Sequence, residues 1–286
     1  MDQKQKKDRR SEQRTSGLLW KILPIFFVIL LLISGIKAGS IVRERKVARE
    51  SYGQLQQEIT LQFLSEPTNE PAKSVETEAA QPEEPEKTEG SAEPVRERKK
   101  SLDFTDLQAR YPDMAAWLYS EGTGMSYPVM LAKDNSYYLT HLYNGKANAN
   151  GALFIDCSNS GLFTDANTVI YGHNMNNGAM FHPLNEYKDQ QFYDAWPTMT
   201  VCTPQGDWLV ELICGTVEDG NYEFVRFNFD DDAAMQKYVD GLRARSTFQS
   251  DVQLQPGDRL ISFCTCTYEL ENARYMLVGR ISPIFE

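Results

Sequence analysis

One segment limits what this chain can be. Residues 18–36 read Leu-Leu-Trp-Lys-Ile-Leu-Pro-Ile-Phe-Phe-Val-Ile-Leu-Leu-Leu-Ile-Ser-Gly-Ile, 19 residues with Lys21 as their one charge. A helix of about 20 apolar residues just crosses the hydrocarbon core of a bilayer. Lys21 lies close enough to one end to reach the interface, and Pro24 falls in the first turns, where proline costs least. The segment therefore predicts a single transmembrane helix, preceded by a basic head over residues 1–17. A cleaved signal peptide would need small residues just after the run. Here Ile36-Lys37-Ala38-Gly39-Ser40 follows, and the lysine favours an uncleaved signal-anchor.

Charge is segregated along the chain. The total is −11, made up of +6 in residues 1–64, −4 in residues 65–100 and −13 in residues 101–286. The acidic C-terminal region argues against nucleic acid as a partner, because phosphate contacts need clustered Lys and Arg. Basic residues flank the apolar run on both sides, so the positive-inside rule alone leaves its orientation open. After the run, Ala48, Tyr52, Leu55 and Ile59 recur at helical spacing and predict a short juxtamembrane helix with one apolar face. A stalk, a weak coiled coil and a solvated helix all fit that spacing. Residues 65–100 carry Pro67, Pro71, Pro82, Pro85 and Pro94 among Glu, Ser and Thr, a linker composition with little to bury.

From Ser101 to Glu286 most of the aromatic residues appear, enough for one core. Asp103–Tyr119 predicts helical segments broken at Pro112. Short strands are expected at 126–131, 152–155, 168–171, 198–203, 208–217, 259–267 and 274–281, with a helix over 230–245. This pattern predicts an antiparallel barrel or sandwich.

Two stretches can carry chemistry. Thr168-Val-Ile-Tyr-Gly-His-Asn174 is an apolar strand that ends at a glycine and then presents His173. Phe263-Cys-Thr-Cys266 closes a second strand, and Arg274 opens the next one across a short turn. A thiolate can attack a carbonyl, an imidazole can move protons and a guanidinium can stabilise an oxyanion. Cys264 and Cys266 share a strand face, and their spacing opposes an unstrained disulfide. Cys157, Cys202 and Cys214, like His141 and His182, read as bystanders. A Cys-x-Cys pair without a second ligand pair is too little to predict a metal, and no cofactor is expected.

At these residues the chain resembles the sortases, membrane-anchored cysteine transpeptidases of bacteria. Residues 168–175 look like the family's histidine motif, and Phe263-Cys-Thr-Cys266 looks like the end of its Thr-Leu-x-Thr-Cys motif, with Cys264 and Phe263 as departures. Residues 174–181, Ser126-Tyr-Pro-Val129 and Asp134–Leu139 look like class B. The resemblance covers roughly 101–286. It implies a mainly β fold, an eight-stranded sortase-type barrel with N-terminal helices and a helix-containing insertion near Asn221–Asp251. It implies Cys266 as nucleophile, His173 as proton carrier and Arg274 as oxyanion donor. Tyr127, Asn174, Thr265 and Tyr222 would contact substrate. The implied partners are surface proteins or pilins with a C-terminal sorting signal cleaved after Thr, and an amine of a cell-wall precursor or pilin. The implied location is a single-pass membrane protein with its N-terminus cytoplasmic and its enzyme outside. A cysteine hydrolase on the same barrel and a silent tethered binding module remain the alternatives.

Overall fold

The structure is a computed structural model and describes residues 2–65, 97–131, 133–220, 224–266 and 272–285. Within the first helix, side chains are described at 23 and 26–63, and Cys266 is described by its backbone alone. Most of the linker, together with Tyr222, Glu269 and Glu271, lies outside the described residues.

The chain divides into two compact units, Met1–Ser51 and Tyr52–Glu286. The first is helical throughout its described residues and belongs to α1 (Asp2–Ser65). From Phe26 the helix is long and apolar enough to cross a membrane. Its apolar side chains point outward all round, with Leu31 71% and Ile36 73% exposed. Such a surface suits an apolar surround, as a membrane-crossing helix has.

The second unit is built on a closed barrel of eight strands. In chain order these are β1 (Met114–Ser120), β2 (Met125–Leu131), β3 (Leu153–Ile155), β4 (Asn167–Tyr171), β5 (Thr198–Cys202), β6 (Trp208–Asp219), β7 (Arg259–Cys266) and β8 (Ala273–Pro283). Around the barrel they run β1-β2-β3-β4-β7-β8-β6-β5, and β5 closes onto β1. Closure leaves no strand edge exposed. The antiparallel expectation needs correction: β2–β3 and β4–β7 are parallel. Parallel neighbours require long crossovers, and the β4–β7 crossover holds β5, β6 and a helix.

A second correction concerns β1. Helical segments are expected over Asp103–Tyr119, but Met114–Ser120 is a strand and only the shorter α2 (Phe104–Arg110) forms before it. Asp103 caps α2 by accepting from the Thr105 N–H at 2.8 Å. Beyond it, backbone bonds to both β2 and β5 override the helix propensity of the two alanines. Trp117 and Leu118 point to opposite faces, and both are fully buried.

Two helices flank the barrel. A six-residue helix, α3 (Gln190–Ala195), precedes β5. The helix α4 (Asp232–Arg243) interrupts the path from β6 to β7, as the expected insertion requires. Asp231 caps it by accepting from the Ala234 N–H at 2.7 Å. Met235, Val239 and Leu242, spaced along one face, pack with Val169, Cys214, Cys264 and Met276.

The C-terminal end of α1 belongs to the barrel unit. Tyr52, Leu55 and Ile59 are 5%, 3% and 0% exposed. The apolar spacing seen in the sequence therefore covers this unit. Burying a Leu or Ile side chain contributes about 1.5–3 kcal/mol. Nearby, the exposed Glu58 pairs with Arg110. Ile59→Ala should lower unfolding stability by about 2–4 kcal/mol, whereas Glu58→Gln should change it by less than about 0.5 kcal/mol. Denaturant titration of the full chain in detergent checks both values.

Candidate active site

The site forms where β4, β7 and β8 end side by side. Tyr171 of β4 is in register with Cys264 of β7. The Gly172 N–H donates to the Cys264 carbonyl at 3.1 Å and prolongs that parallel ladder. Continuing the register brings His173 level with Cys266. Across the next pair, Cys266 is in register with Arg274 of β8. Cys266 and Arg274 thus stand opposite one another on adjacent strands, and His173 lies two residues past the end of β4, the other neighbour of β7. The Cys266 side chain lies outside the described residues.

Gly172 is required by close approach. A Cβ there would lie 2.5 Å from Leu153 Cδ2 and 2.7 Å from Phe181 Cδ2. His173 is half-buried, and its Nε2 lies 2.7 Å from the Leu139 carbonyl oxygen. A carbonyl can only accept, so Nε2 carries the hydrogen, and in the neutral ring Nδ1 keeps the lone pair. Arg274 Nη1 donates to the carbonyls of Asn272 and Ala273, both at 3.1 Å. A Cβ on Gly220 would lie 3.2 Å from the Arg274 Cζ, so glycine leaves room for the guanidinium.

A cavity of about 380 Å³ opens here, lined by Asn135, Leu139, Phe154, Tyr171, Gly172, His173, Cys264, Thr265 and Arg274. Its volume suits a short peptide segment. Thr265 is 2% exposed, and its hydroxyl has no hydrogen-bond partner among the described residues. Asp156 is buried and accepts from Asn135 Nδ2 at 2.9 Å. Tyr171 borders the same carboxylate, and burial first, then the Cys264 thiol and Asp156, push its phenol up from the ordinary value. Asn135, Asp156 and Tyr171 were not singled out in the sequence as site residues, although Asn135 and Tyr171 fall inside motifs quoted for other reasons.

The remaining candidates are placed elsewhere. Tyr127 packs edge-on against Tyr52, with ring centroids 5.4 Å apart, and does not line the cavity. Asn174 Oδ1 accepts from His182 Nδ1 at 2.7 Å, within the loop that follows His173. Tyr222 lies outside the described residues. His141 stacks on Tyr137 with ring centroids 4.1 Å apart. Among the described residues no group of three or more His, Cys, Asp or Glu side chains is placed to hold a metal ion.

The two neighbouring cysteines are in different situations. Cys264 is 1% exposed, and burial pushes its thiol well above the ordinary value. A thiol so held cannot readily become the nucleophilic thiolate. Cys266 ends the strand, two residues closer to the open end.

Sortase B of Listeria monocytogenes is 32% identical over 181 residues, covering 63% of this chain and 74% of the relative. Sortase B of Staphylococcus aureus is 24% identical over 265 residues, covering 92% of this chain and 96% of the relative. The Staphylococcus aureus sortase B–substrate complex superposes with a TM-score of 0.68 at 22% identity, over 85% of this chain and 99% of that one. Clostridium perfringens sortase B superposes with a TM-score of 0.59 at 29% identity, over 63% of this chain and all of that one, 100%. No family model matches the chain. The barrel and these relatives define a cysteine transpeptidase of the sortase kind. The chain belongs to the sortase B family.

Thiol accessibility gives a direct test. Burial pushes Cys214 up to about 12, which leaves about one thiolate in ten thousand at pH 8. Iodoacetamide at pH 8 should label the exposed Cys157 of the native protein and spare Cys202, Cys214 and Cys264 until denaturant is added. Peptide mapping reads the result, and native labelling of Cys264 would contradict its burial. The folded chain also keeps thiol protons that the unfolded chain loses near 9.0, so stability should fall as pH rises from 9.0 toward about 12.

Proposed function

We propose that this chain is a membrane-anchored transpeptidase that joins proteins bearing a C-terminal sorting signal to an amine outside the cell. In this reading residues 1–17 form a cytoplasmic basic head and residues 18–36 the membrane anchor. Residues 37–100 hold the juxtamembrane helix and linker, and residues 101–286 the catalytic domain. The reading is supported by the pairing of Cys266 with Arg274, on the strand whose other neighbour, β4, leads into His173.

The Cys266 thiolate attacks the carbonyl carbon of a Thr within the signal. Arg274 donates hydrogen bonds to the developing oxyanion, and its fixed position means little reorganisation is needed. The imidazolium of His173 gives a proton to the departing amide nitrogen. The C–N bond breaks, leaving a thioester on Cys266 and a free amine on the released peptide. An incoming amine then loses a proton to His173 and attacks the thioester carbonyl. The new amide forms, and the thiolate leaves. Asn135, Leu139 and Thr265 line the cavity in which the signal would lie. The amine belongs to a cell-wall precursor or a pilin lysine, and the partners are surface proteins or pilins.

The chemistry also argues for orientation. Sorting signals and wall precursors are outside the membrane, so the barrel faces outward and the N-terminus stays in the cytoplasm. A catalytic thiol there must avoid disulfide formation, and the burial of Cys264 removes the nearest thiol from reaction.

A Thr-containing pentapeptide selected from a cleavage library, supplied with and without an amine, tests the reaction. Amine-dependent ligation product is expected, with slow hydrolysis in its absence. Hydrolysis unaffected by amine would make the protein a hydrolase. Cys266→Ala should reduce turnover at least about 1000-fold, while Cys264→Ala should keep turnover within about tenfold of the original. The reverse pattern would assign the nucleophile to Cys264.

A further inference from the structure

The proton-carrying imidazole is held from two sides, and both sides lead back to one turn of α1. On the first side, Tyr52 donates its hydroxyl hydrogen to the Gly151 carbonyl at 2.8 Å. Gly151 has φ +61, and a Cβ there would lie 2.5 Å from the Tyr138 carbonyl oxygen and 3.0 Å from His173 Cδ2. The next residue, Ala152, donates its N–H to that same Tyr138 carbonyl at 2.9 Å. One residue further, the Leu139 carbonyl accepts from His173 Nε2 at 2.7 Å. The Tyr52 hydroxyl is therefore connected to the imidazole through one short stretch of loop.

On the second side, Gln56 lies one helical turn beyond Tyr52, on the same face. Its Nε2 donates to the Ser126 carbonyl at 2.7 Å. The next residue, Tyr127, has the Gln56 side chain and the Met180 backbone as polar neighbours of its hydroxyl. Met180 has φ +57 and pairs with Asn174, while Phe181 donates its N–H to the His173 carbonyl at 3.0 Å. The Tyr52 ring fills the space between the two routes, packed on Tyr127 and Tyr143.

We propose that the end of α1 carrying Tyr52 and Gln56 is a positioning element for His173, so that docking of this helix on the barrel sets the orientation of the imidazole. Neither residue lines the cavity, and neither touches reacting atoms. They act on the loops that fix the ring from its Nε2 side and from its backbone side. The barrel itself closes without them. What the helix supplies is the separation between the two loops. A misplacement of about 1 Å at a reacting group can cost about a hundredfold in rate, so a small release of either loop is enough to matter. The inference rests on His173 being the proton carrier in the proposed function.

The test uses the full chain in detergent micelles and reads Cys266 directly. An imidazolium beside a thiol raises the thiolate fraction, so the pH profile of Cys266 alkylation by iodoacetamide reports the position of His173. Tyr52→Phe keeps the ring and removes the hydroxyl, and Gln56→Leu removes the amide at similar volume. Each should slow alkylation at pH 7 at least about threefold and displace the limb of the profile that belongs to His173, and the double variant should do more. Glu58→Gln, on the same helix but directed at Arg110, should match the unmodified chain. A lowered unfolding midpoint with an unchanged alkylation profile would overturn the proposal, since it would make the contacts merely structural. His173→Ala separates the two layers. If it abolishes the limb while Tyr52→Phe and Gln56→Leu leave it in place, this inference alone fails. If it leaves the limb unchanged, the role of His173 fails and the inference fails with it.

Discussion

The parallel pairing of β4 with β7 is the constraint on which the site depends. It lays Tyr171 beside Cys264, and the Gly172–Cys264 hydrogen bond carries the alignment past the strand end. Parallel partners cannot be joined by a tight turn. The chain must first build β5, β6 and α4, and β6 then serves as the second neighbour of β8. His173 and Cys266 are thus far apart in sequence and meet only when the barrel has closed. The loop-closure entropy of such a contact is met by the whole barrel core rather than by any local interaction. Gly172 is the local cost of the arrangement, because Leu153 and Phe181 occupy the place where a side chain would go.

Burial then divides the chemistry among similar groups. Cys264 and Cys266 lie on the same strand face, yet Cys264 sits among Val169, Met276 and the apolar side of α4. Desolvation disfavours its charged form and makes it part of the wall. Tyr171 is held neutral by the same effect beside Asp156. Tyr171 and Cys264 thus bring uncharged side chains to the cavity beside Arg274 and His173.

Much of this was readable in the sequence, for identifiable reasons. Strand-end motifs such as Tyr171-Gly-His173 and Phe263-Cys-Thr-Cys266 are contiguous, so their chemistry and local geometry appear together. Only six residues separate β7 from β8, which makes Arg274 readable as the partner of Cys266. What was not legible was set by distant packing. Met114–Ser120 has the alanines of a helix and becomes a strand because β2 and β5 take its backbone bonds. Two parallel pairs were hidden because periodicity records which face is buried and not the direction of a neighbour. Asn135 and Asp156 reach the site through a side-chain bond between separate loops, for which no spacing rule exists. The apolar spacing of Tyr52, Leu55 and Ile59 was visible, but a helix face does not name the surface that covers it.

That surface lies wholly within the unit that begins at Tyr52. The sulfur that carries the acyl group when a signal peptide is cleaved identifies the nucleophile. Peptide mapping by mass spectrometry, after acid quenching of the full chain with a library-selected Thr pentapeptide, locates it. The account predicts a single thioester adduct, ending in Thr, on Cys266. An adduct on Cys264 or Cys157, or turnover without any adduct, would contradict it.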